Sequence, residues 1–265
     1  MSFPSFFLAP NNPAQPVSWP LRIMNFLVAI LFIALILSFS FSQLRYQWDW
    51  RAIYAYRQKF LEGWLTSILV SIASLGLSSA IGLFFAAARR SAFLPLRYFS
   101  QIYVEMVRGT PLLVQILIFF YVVAPAFQIS DRYRVGVGIL ILSFFSGAYI
   151  SEIVRAGIES ISQSQLESAR AIGLTRAQTY RYVIFPQALR QTLPPLAGQF
   201  LSLIKDSSLL SIIGISELTL NAREVNAVTY SAFESYLPLA VGYLILTLPI
   251  SLWTRYLEQK HKYET

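Results

Sequence analysis

The chain has 265 residues, of which 55% are hydrophobic and only 13% are charged. Soluble domains carry about a quarter charged residues, so this composition excludes a soluble globular protein and indicates a multi-span membrane protein. With no cysteine and a single histidine, His261, near the C-terminus, disulfides, thiolate metal sites and histidine-based catalysis in the core are also excluded. The net charge of +8 indicates basic cytoplasmic loops rather than a nucleic-acid partner.

The uncharged segments predict an all-α integral membrane protein with about six transmembrane helices. A crossing needs about 20 apolar residues, because a charge at the centre of a spanning helix costs about 2.5–3.5 kcal/mol. Five uncharged windows meet or approach that length, and a sixth is interrupted by Lys205 and Asp206. In chain order the six predicted spans are Ile23–Leu44, Gly63–Ala88, Gly109–Ser130, Val135–Ser151, Pro194–Ser216 and Ser235–Thr254.

The distribution of lysine and arginine predicts that both termini are cytoplasmic. Thirteen of the 21 basic residues fall in segments that this orientation places inside, and seven fall in the outer loops. The apolar run Ile23–Leu44 is longer than the apolar region of a signal peptide, about 7–15 residues, and no small-residue cleavage site follows it. We therefore expect this run to be the first span of a multi-pass protein.

The inner loop between the fourth and fifth predicted spans, at about 156–193, is long and polar. Loops of this length without their own structure are uncommon unless they are functional. Alternating apolar and polar residues predict a short amphipathic helix over Leu166–Gly173, with Gly173 at its C-terminal cap. A second helix is predicted over Thr175–Phe185, with its first residue as N-cap, ending at Pro186. A helix–turn–helix unit at the cytoplasmic face is a surface on which a partner docks.

Two features at the membrane boundary have structural explanations that need no ligand. Pro111 fits the first turn of the third span, with Thr110 before it as a cap. Trp48, Trp50 and Trp64 flank the second span and fit an interfacial aromatic belt.

The inner loop and four other segments carry motifs of one protein family. The loop contains Glu167-Ser168-Ala169, then Gly173, then Val183-Ile184-Phe185-Pro186. This series resembles the EAA signature of ATP-binding-cassette importer permeases, with Ser, Val and Phe as mild changes at three positions. The resemblance extends over about 63–258, and four further motifs are similar to the polar amino acid branch, the histidine, glutamine and arginine permeases: Val107–Leu113, Gly147–Tyr149 with Glu152 and Arg155, Pro194-Pro195, and Lys205–Leu209.

The resemblance implies a type I importer, in which two permease subunits form the path and two cytoplasmic ATPases drive it. A periplasmic binding protein, here expected to be a separate chain, delivers the amino acid. The subunit itself would be non-catalytic and would lie in the bacterial plasma (inner) membrane. ATP and Mg²⁺ would bind the partner ATPase, since the sequence contains no Gly-x-x-x-x-Gly-Lys-Ser/Thr phosphate loop. We expect no metal, cofactor or nucleic acid to bind this chain.

The family core has five spans, so the resemblance implies that Ile23–Leu44 is an added N-terminal helix. Segment 1–60 is then expected to hold a cytoplasmic tail, the added helix and an outer loop. The permease core is expected at 61–258, with its EAA loop at 156–193, and a cytoplasmic tail at 259–265.

The resemblance assigns coupling to the ATPase to Glu167, Ser168, Ala169, Gly173 and Pro186. Glu167 offers a charge to a partner, small Ala169 permits close approach, and Gly173 lets the chain reverse. The alternative is an amphipathic helix that only lies on lipid headgroups.

Lys205 and Asp206, followed by Ser208, are the charged and polar residues best placed to line a transport path. If the fifth span starts near Pro195, Lys205 lies ten residues in, close to the midplane of a hydrocarbon core about 30 Å thick. Ionisable groups at that depth are costly and are candidates for function. The alternative is a structural pair that holds neighbouring helices together.

Glu152 is the candidate partner of a substrate ammonium group, and Tyr149, one turn away, shares its helix face. Measured from Val135, Glu152 lies about 25 Å along the helix, nearer the cytoplasmic end than the midplane. It can instead pair with Arg155 or Arg108 as a structural bridge. Both roles stay open from the sequence.

Two other function classes are alternatives to the importer subunit. A self-sufficient, ion-coupled secondary transporter would usually show inverted repeats and broken helices, and no clear internal repeat is present. A membrane-embedded enzyme would have little beyond carboxylates for its chemistry. Neighbouring genes for an ATPase and a secreted binding protein would favour the importer.

Overall fold

The structure, a computed structural model, describes residues 18–43, 46 and 48–262. Every regular element in those ranges is a helix, which confirms the predicted all-α membrane protein. The chain divides into two compact units, 1–48 and 49–265. The predicted terminal tails fall largely on residues 1–17 and 263–265, outside the described residues.

The described part of the first unit contains helix α1, Trp19–Ser42. Its 24 residues extend about 36 Å at 1.5 Å per residue, enough to cross a hydrocarbon core of about 30 Å. No residue of α1 is buried in the protein, as expected for a helix with lipid on most of its surface. The first predicted span is confirmed, apart from Leu44, which lies outside the described residues.

The second unit contains all the other helices. In chain order they are α2 Trp50–Ala55, α3 Arg57–Ala88, α4 Leu94–Gly109, α5 Leu112–Ile118, α6 Ala124–Ala126, α7 Arg134–Glu159, α8 Gln163–Ala171, α9 Arg176–Thr179, α10 Phe185–Asp206, α11 Leu218–Thr229 and α12 Ala232–Lys262. Two π turns and two 3₁₀ turns join or extend them: Phe119–Val123 between α5 and α6, Asp131–Tyr133 before α7, Tyr180–Ile184 between α9 and α10, and Ser207–Ile213 after α10.

Five helical segments among the described residues are long and apolar enough to cross a membrane, and a bent pair makes six if it counts as one span. The five are Trp19–Ser42, Arg57–Ala88, Asp131–Glu159, Arg176–Ile213 and Ala232–Tyr256. The second, fourth and sixth predicted spans lie inside α3, α7 and α12 and are confirmed as helices.

The third predicted span, Gly109–Ser130, is helical over Leu112–Ala126 and passes as a membrane span only together with the helix before it, as one bent pair. Helix α4, which the sequence analysis did not predict, ends at Gly109, and its axis makes an angle of 109° with the segment that starts at Leu112. Thr110 is extended, with φ −122° and ψ 143°, and Pro111 is the N-cap residue of α5. Proline lacks an N–H and disfavours helical conformation in the residue before it, so the chain turns here. The predicted capping by Thr110 is wrong, because its hydroxyl donates to the carbonyl of Met106 in α4.

The predicted end of a loop helix at Pro186 is wrong as well, because the helical segment Arg176–Ile213 passes through it. The π turn Tyr180–Ile184 directly precedes Pro186, and the N–H of Phe185 donates to the carbonyl of Tyr180, five residues back. This shift of hydrogen-bond register places Pro186 in the first turn of α10, where a missing N–H is tolerated.

Pro194 and Pro195 both lie inside α10, so the helix that carries the fifth predicted span begins well before Pro194. Helix α10 packs against α7 close to these positions. Gln199 Nε2 donates to Ser146 Oγ of α7 at 3.2 Å. Prolines are tolerated inside membrane helices where neighbouring helices support the freed backbone groups.

Helices α3 and α7 form the central packed pair. A Cβ atom added to Gly82 would lie 2.5 Å from Cγ2 of Ile150, and one added to Gly147 would lie 2.7 Å from Cγ2 of Ile81. Small residues at such contacts allow the two backbones to approach closely, which replaces the missing hydrophobic effect as a source of stability in lipid.

Candidate functional site

Helix α8, in the inner loop, ends in a hydrogen-bonded reversal at Gly173. The N–H of Gly173 donates to the carbonyl of Arg170 at 2.9 Å, and the N–H of Leu174 donates to the carbonyl of Ala169 at 3.0 Å. With φ of +82° at Gly173, these bonds form a Schellman motif. The predicted helix and its terminal glycine are confirmed, with the helix at Gln163–Ala171 rather than Leu166–Gly173.

The chain after Gly173 is fixed by a second cap. Thr175 Oγ1 accepts a hydrogen bond from the N–H of Gln178 at 3.3 Å, and Gln178 Oε1 accepts one from the N–H of Thr175 at 2.8 Å. This capping box confirms Thr175 as an N-cap. The turn between α8 and α9 is therefore held at both ends, so α8 is rigidly connected to the long helix that follows.

The side chains of α8 divide between a buried and an exposed face. Ala169 is only 3% exposed and packs within the loop. Glu167 and Ser168 are exposed, and Pro186 is partly buried at the start of α10. Ile172, to which the sequence assigns no role, is 77% exposed directly beside Gly173.

Three arginines surround the carboxylate of Glu152. Arg89 Nη1 lies 2.8 Å from Oε2, Arg155 Nη2 lies 2.5 Å from Oε1, and Arg108 Nη1 lies 3.6 Å from Oε1. Arg155 also pairs with Glu159 one turn further on. Three guanidinium groups against two carboxylates leave the cluster with a net charge of +1. The cluster joins the C-terminal ends of α3 and α4 to α7.

Arg108 also connects Tyr149 to this cluster. Its Cζ atom lies 5.7 Å from the centroid of the Tyr149 ring, within the range of a cation–π contact. The side chain of Arg108 is 41% exposed and that of Glu152 is 21% exposed. The ion pairs of the bridging alternative are thus present, and part of the cluster is still accessible.

Lys205 and Asp206 are the last two residues of α10, before the 3₁₀ turn Ser207–Ile213. Lys205 is exposed, while Asp206 and Ser208 are partly buried. Within the described ranges, Lys205 forms no ion pair shorter than 4.0 Å. The helix that carries Lys205 extends well beyond the predicted span start near Pro195, and the midplane depth of Lys205 stays a prediction.

Within the second unit, an ion cluster joins α3, α4 and α7, and the loop helix α8 carries exposed polar side chains. Residues 77–263, more than half of the chain, match the family described as binding-protein-dependent transport system inner membrane component. The chain belongs to this family.

Two curated relatives are similar to this chain over most of their own length. This chain is 36% identical over 216 residues to the glutamine transport system permease protein GlnP of Escherichia coli (strain K12), and the match covers 82% of this chain and 99% of GlnP. It is 35% identical over 201 residues to the probable glutamine ABC transporter permease protein GlnM of Bacillus subtilis (strain 168), which covers 76% of this chain and 92% of GlnM.

A solved structure gives the same result. The crystal structure of an amino acid ABC transporter with histidines matches this chain at 33% identity and a TM-score of 0.75, covering 81% of this chain and 100% of that one. Together these matches confirm the resemblance to permease subunits of type I ATP-binding-cassette importers of the polar amino acid uptake family. This protein is accordingly a multi-span membrane permease.

Glu217, which belongs to none of the motifs in the sequence, is fully buried in this permease. As the N-cap residue of α11, its carboxylate accepts hydrogen bonds from the N–H groups of Thr219 and Leu220, both at 2.8 Å. The hydroxyl of Tyr243 in α12 donates to the same carboxylate at 2.9 Å. Burial raises the pKa of Glu217 above its ordinary value, against the lowering effect of these donors. No local sequence pattern signals this role, because glutamate is seldom buried.

Proposed function

We propose that this permease is the transmembrane subunit of an ATP-driven importer of polar amino acids. The relatives named above, two glutamine permeases and an amino acid transporter, support amino acids as the class of substrate. We propose a plasma-membrane location with both termini cytoplasmic, as the distribution of basic residues favours.

The proposed assembly contains a second permease subunit, two cytoplasmic ATPases and a separate periplasmic binding protein. ATP and Mg²⁺ would bind the ATPases, and this chain would perform no catalysis. Segment 61–258 would form the permease core with its EAA loop at 156–193, segment 1–60 would add the first helix, and 259–265 would be a cytoplasmic tail.

The rigid connection and the exposed side chains of α8 are the best support for coupling between the ATPase and the membrane helices. Helix α8 lies between two candidate spans, Asp131–Glu159 and Arg176–Ile213. Because both ends of the following turn are hydrogen-bonded, a push on α8 would move α10 with it. The exposed residues Glu167, Ser168 and Ile172 would meet the ATPase, while Ala169, Gly173 and Pro186 would hold the shape of the loop.

A charge at Ile172 tests whether α8 docks on the ATPase or lies on lipid headgroups. Ile172→Glu should reduce the co-purified ATPase at least about tenfold, as loss of a central apolar anchor does. Gln163→Glu, at the exposed first position of the same helix, introduces the same charge and should retain the ATPase. Equal recovery of the ATPase with both variants would support the headgroup alternative instead.

For the transport path we propose Tyr149, Glu152, Lys205, Asp206 and Ser208. The partial exposure of the Glu152 side chain, 21%, supports the first pair, since the carboxylate is not fully enclosed by its arginines. The exposed ammonium of Lys205 supports the second group.

The secondary-transporter alternative predicts uptake driven by an ion gradient. Proteoliposomes that contain the purified complex should take up the amino acid only when ATP is present on the side of the membrane that carries the ATPases. Uptake by this chain alone, driven by a gradient without ATP, would overturn the proposed function.

A further inference from the structure

An apolar groove with a volume of about 690 Å³ lies between α2, α3 and α12. Trp50, Trp64, Val241 and Ile245 are among the residues that line it, and Arg57 is the one charged residue in its lining. The two tryptophans are members of the aromatic belt that the sequence predicts at the membrane boundary, and neither the coupling loop nor the ion cluster includes them.

Close packing around Gly242 forms one wall of the groove. Gly242 forms part of its lining, and a Cβ atom there would lie 2.7 Å from Cδ2 of Leu218 and 3.4 Å from Cδ1 of Trp64. The indole N–H of Trp64 already donates to the carbonyl of Gly242 at 3.1 Å. Because the indole is satisfied inside the protein, the groove needs no water along this wall.

Arg57 places a positive charge at one end of the otherwise apolar groove. It is the first residue of α3, and its guanidinium stacks on the Tyr54 ring at 4.4 Å and donates to the Tyr54 carbonyl at 2.9 Å. In the part of the chain that the structure describes, no carboxylate pairs with it. Several of its N–H donors are therefore left without a carboxylate partner among the described residues and could bind an anion.

We propose that this groove binds a glycerophospholipid of the bilayer, with the phosphate on Arg57 and one acyl chain along Trp64, Val241 and Ile245. The positions agree with such an occupant. Arg57 begins a membrane span, at the level of the headgroups, and Val241 and Ile245 lie two to four turns into α12, at the level of the acyl chains. A phospholipid combines the anionic end and the apolar length that the groove presents.

The test uses the full-length permease, purified with its partners and reconstituted in vesicles. The probes are phosphatidylglycerol and uncharged diacylglycerol, each with a photoactivatable diazirine in one acyl chain. Labelled peptides are mapped by mass spectrometry. We expect labelling by phosphatidylglycerol to concentrate at the groove, relative to the exposed surface around Leu83 at the far end of α3.

Two pairs of variants test the phosphate end and the acyl-chain end of the site separately. Arg57→Gln should reduce the preference of the groove for phosphatidylglycerol over diacylglycerol about fivefold. Arg51→Gln, an exposed arginine outside the groove, should leave that preference unchanged. Val241→Trp should fill the groove and reduce labelling by both probes, whereas Leu252→Trp, equally exposed on the same helix, should not.

Three results would overturn the proposal. The first is equal labelling of the groove and of the surface around Leu83. The second is a preference for phosphatidylglycerol that survives Arg57→Gln, which is measurable even if Val241→Trp does not fold. The third is cross-linking of a diazirine residue placed at Val241 to another protein chain, which would make the groove a subunit interface.

Discussion

Arg89 Nη1 lies 2.8 Å from Oε2 of Glu152, and this ion pair joins the C-terminal end of α3 to α7 across 63 positions of the sequence. The same two helices are closely packed further along, where Gly82 and Gly147 permit their backbones to approach. The ion pair thus fixes the end of a helix pair whose middle is held by small residues.

Removing the charge of Glu152 should weaken this junction. Glu152→Gln keeps the shape but leaves three guanidinium groups without their shared carboxylate, so the free energy of unfolding of the purified complex should fall by about 1–3 kcal/mol. Glu105→Gln removes an exposed charge that pairs with no described residue and should have no effect. Thermal unfolding measures both variants.

The same variant tests the proposed contact with the substrate. At a temperature where Glu152→Gln is fully folded, uptake should fall while basal ATP hydrolysis persists, because the ammonium group loses a charged partner. Normal uptake by a destabilised complex would leave Glu152 with a structural role only.

The glycine contacts between α3 and α7 should tolerate no added methyl group. Gly82→Ala places a Cβ atom 2.5 Å from Ile150 and should destabilise the protein by about 1–3 kcal/mol. Gly76→Ala lies on the same helix with nothing within 4 Å and should be neutral or slightly stabilising. Unfolding in a denaturing detergent compares them, and equal stability of the two variants would contradict the packing argument.

The reversal at Gly173 should control coupling through its backbone conformation. At φ +82° a β-branched residue costs about 1–2 kcal/mol or more, so Gly173→Val should lower both uptake and substrate-stimulated ATP hydrolysis. Gly173→Asn should retain most activity, because asparagine tolerates the left-handed region. Since nothing lies within 4 Å of the added Cβ, a loss of activity in both variants alike would point to contact with a partner instead of backbone strain.

Lys205→Met separates the path role of this lysine from a pairing role. Because Lys205 is exposed and pairs with no described carboxylate, the yield and thermal stability of the complex should stay unchanged. Uptake should change in its preference among acidic, neutral and basic amino acids, because a positive charge has been removed from the path. A loss of yield that Asp206→Asn restores in the same chain would show a structural pair in place of a path residue.

Much of the fold and of the family is determined by the sequence alone. An apolar run such as Ile23–Leu44 has one stable state in a bilayer, since the cost of charges and of unpaired backbone groups is local. The end of α8 at Gly173 and the cap at Thr175 are likewise set by residues within a few positions of each other. The family motifs are also local strings, and they were sufficient for the resemblance that the comparisons confirm.

Only the tertiary structure decided what each proline does and which charges meet. Pro111 follows the extended Thr110 and caps α5, whereas Pro186 is accommodated by the π turn before it and Pro194 lies inside α10, which packs against α7. The ion pair of Arg89 with Glu152 and the burial of Glu217 likewise depend on helices that are far apart in sequence. The physical reason is the same in each case: the energy of a proline or a charge depends on the neighbours that replace its missing hydrogen bonds, and folding alone supplies those neighbours.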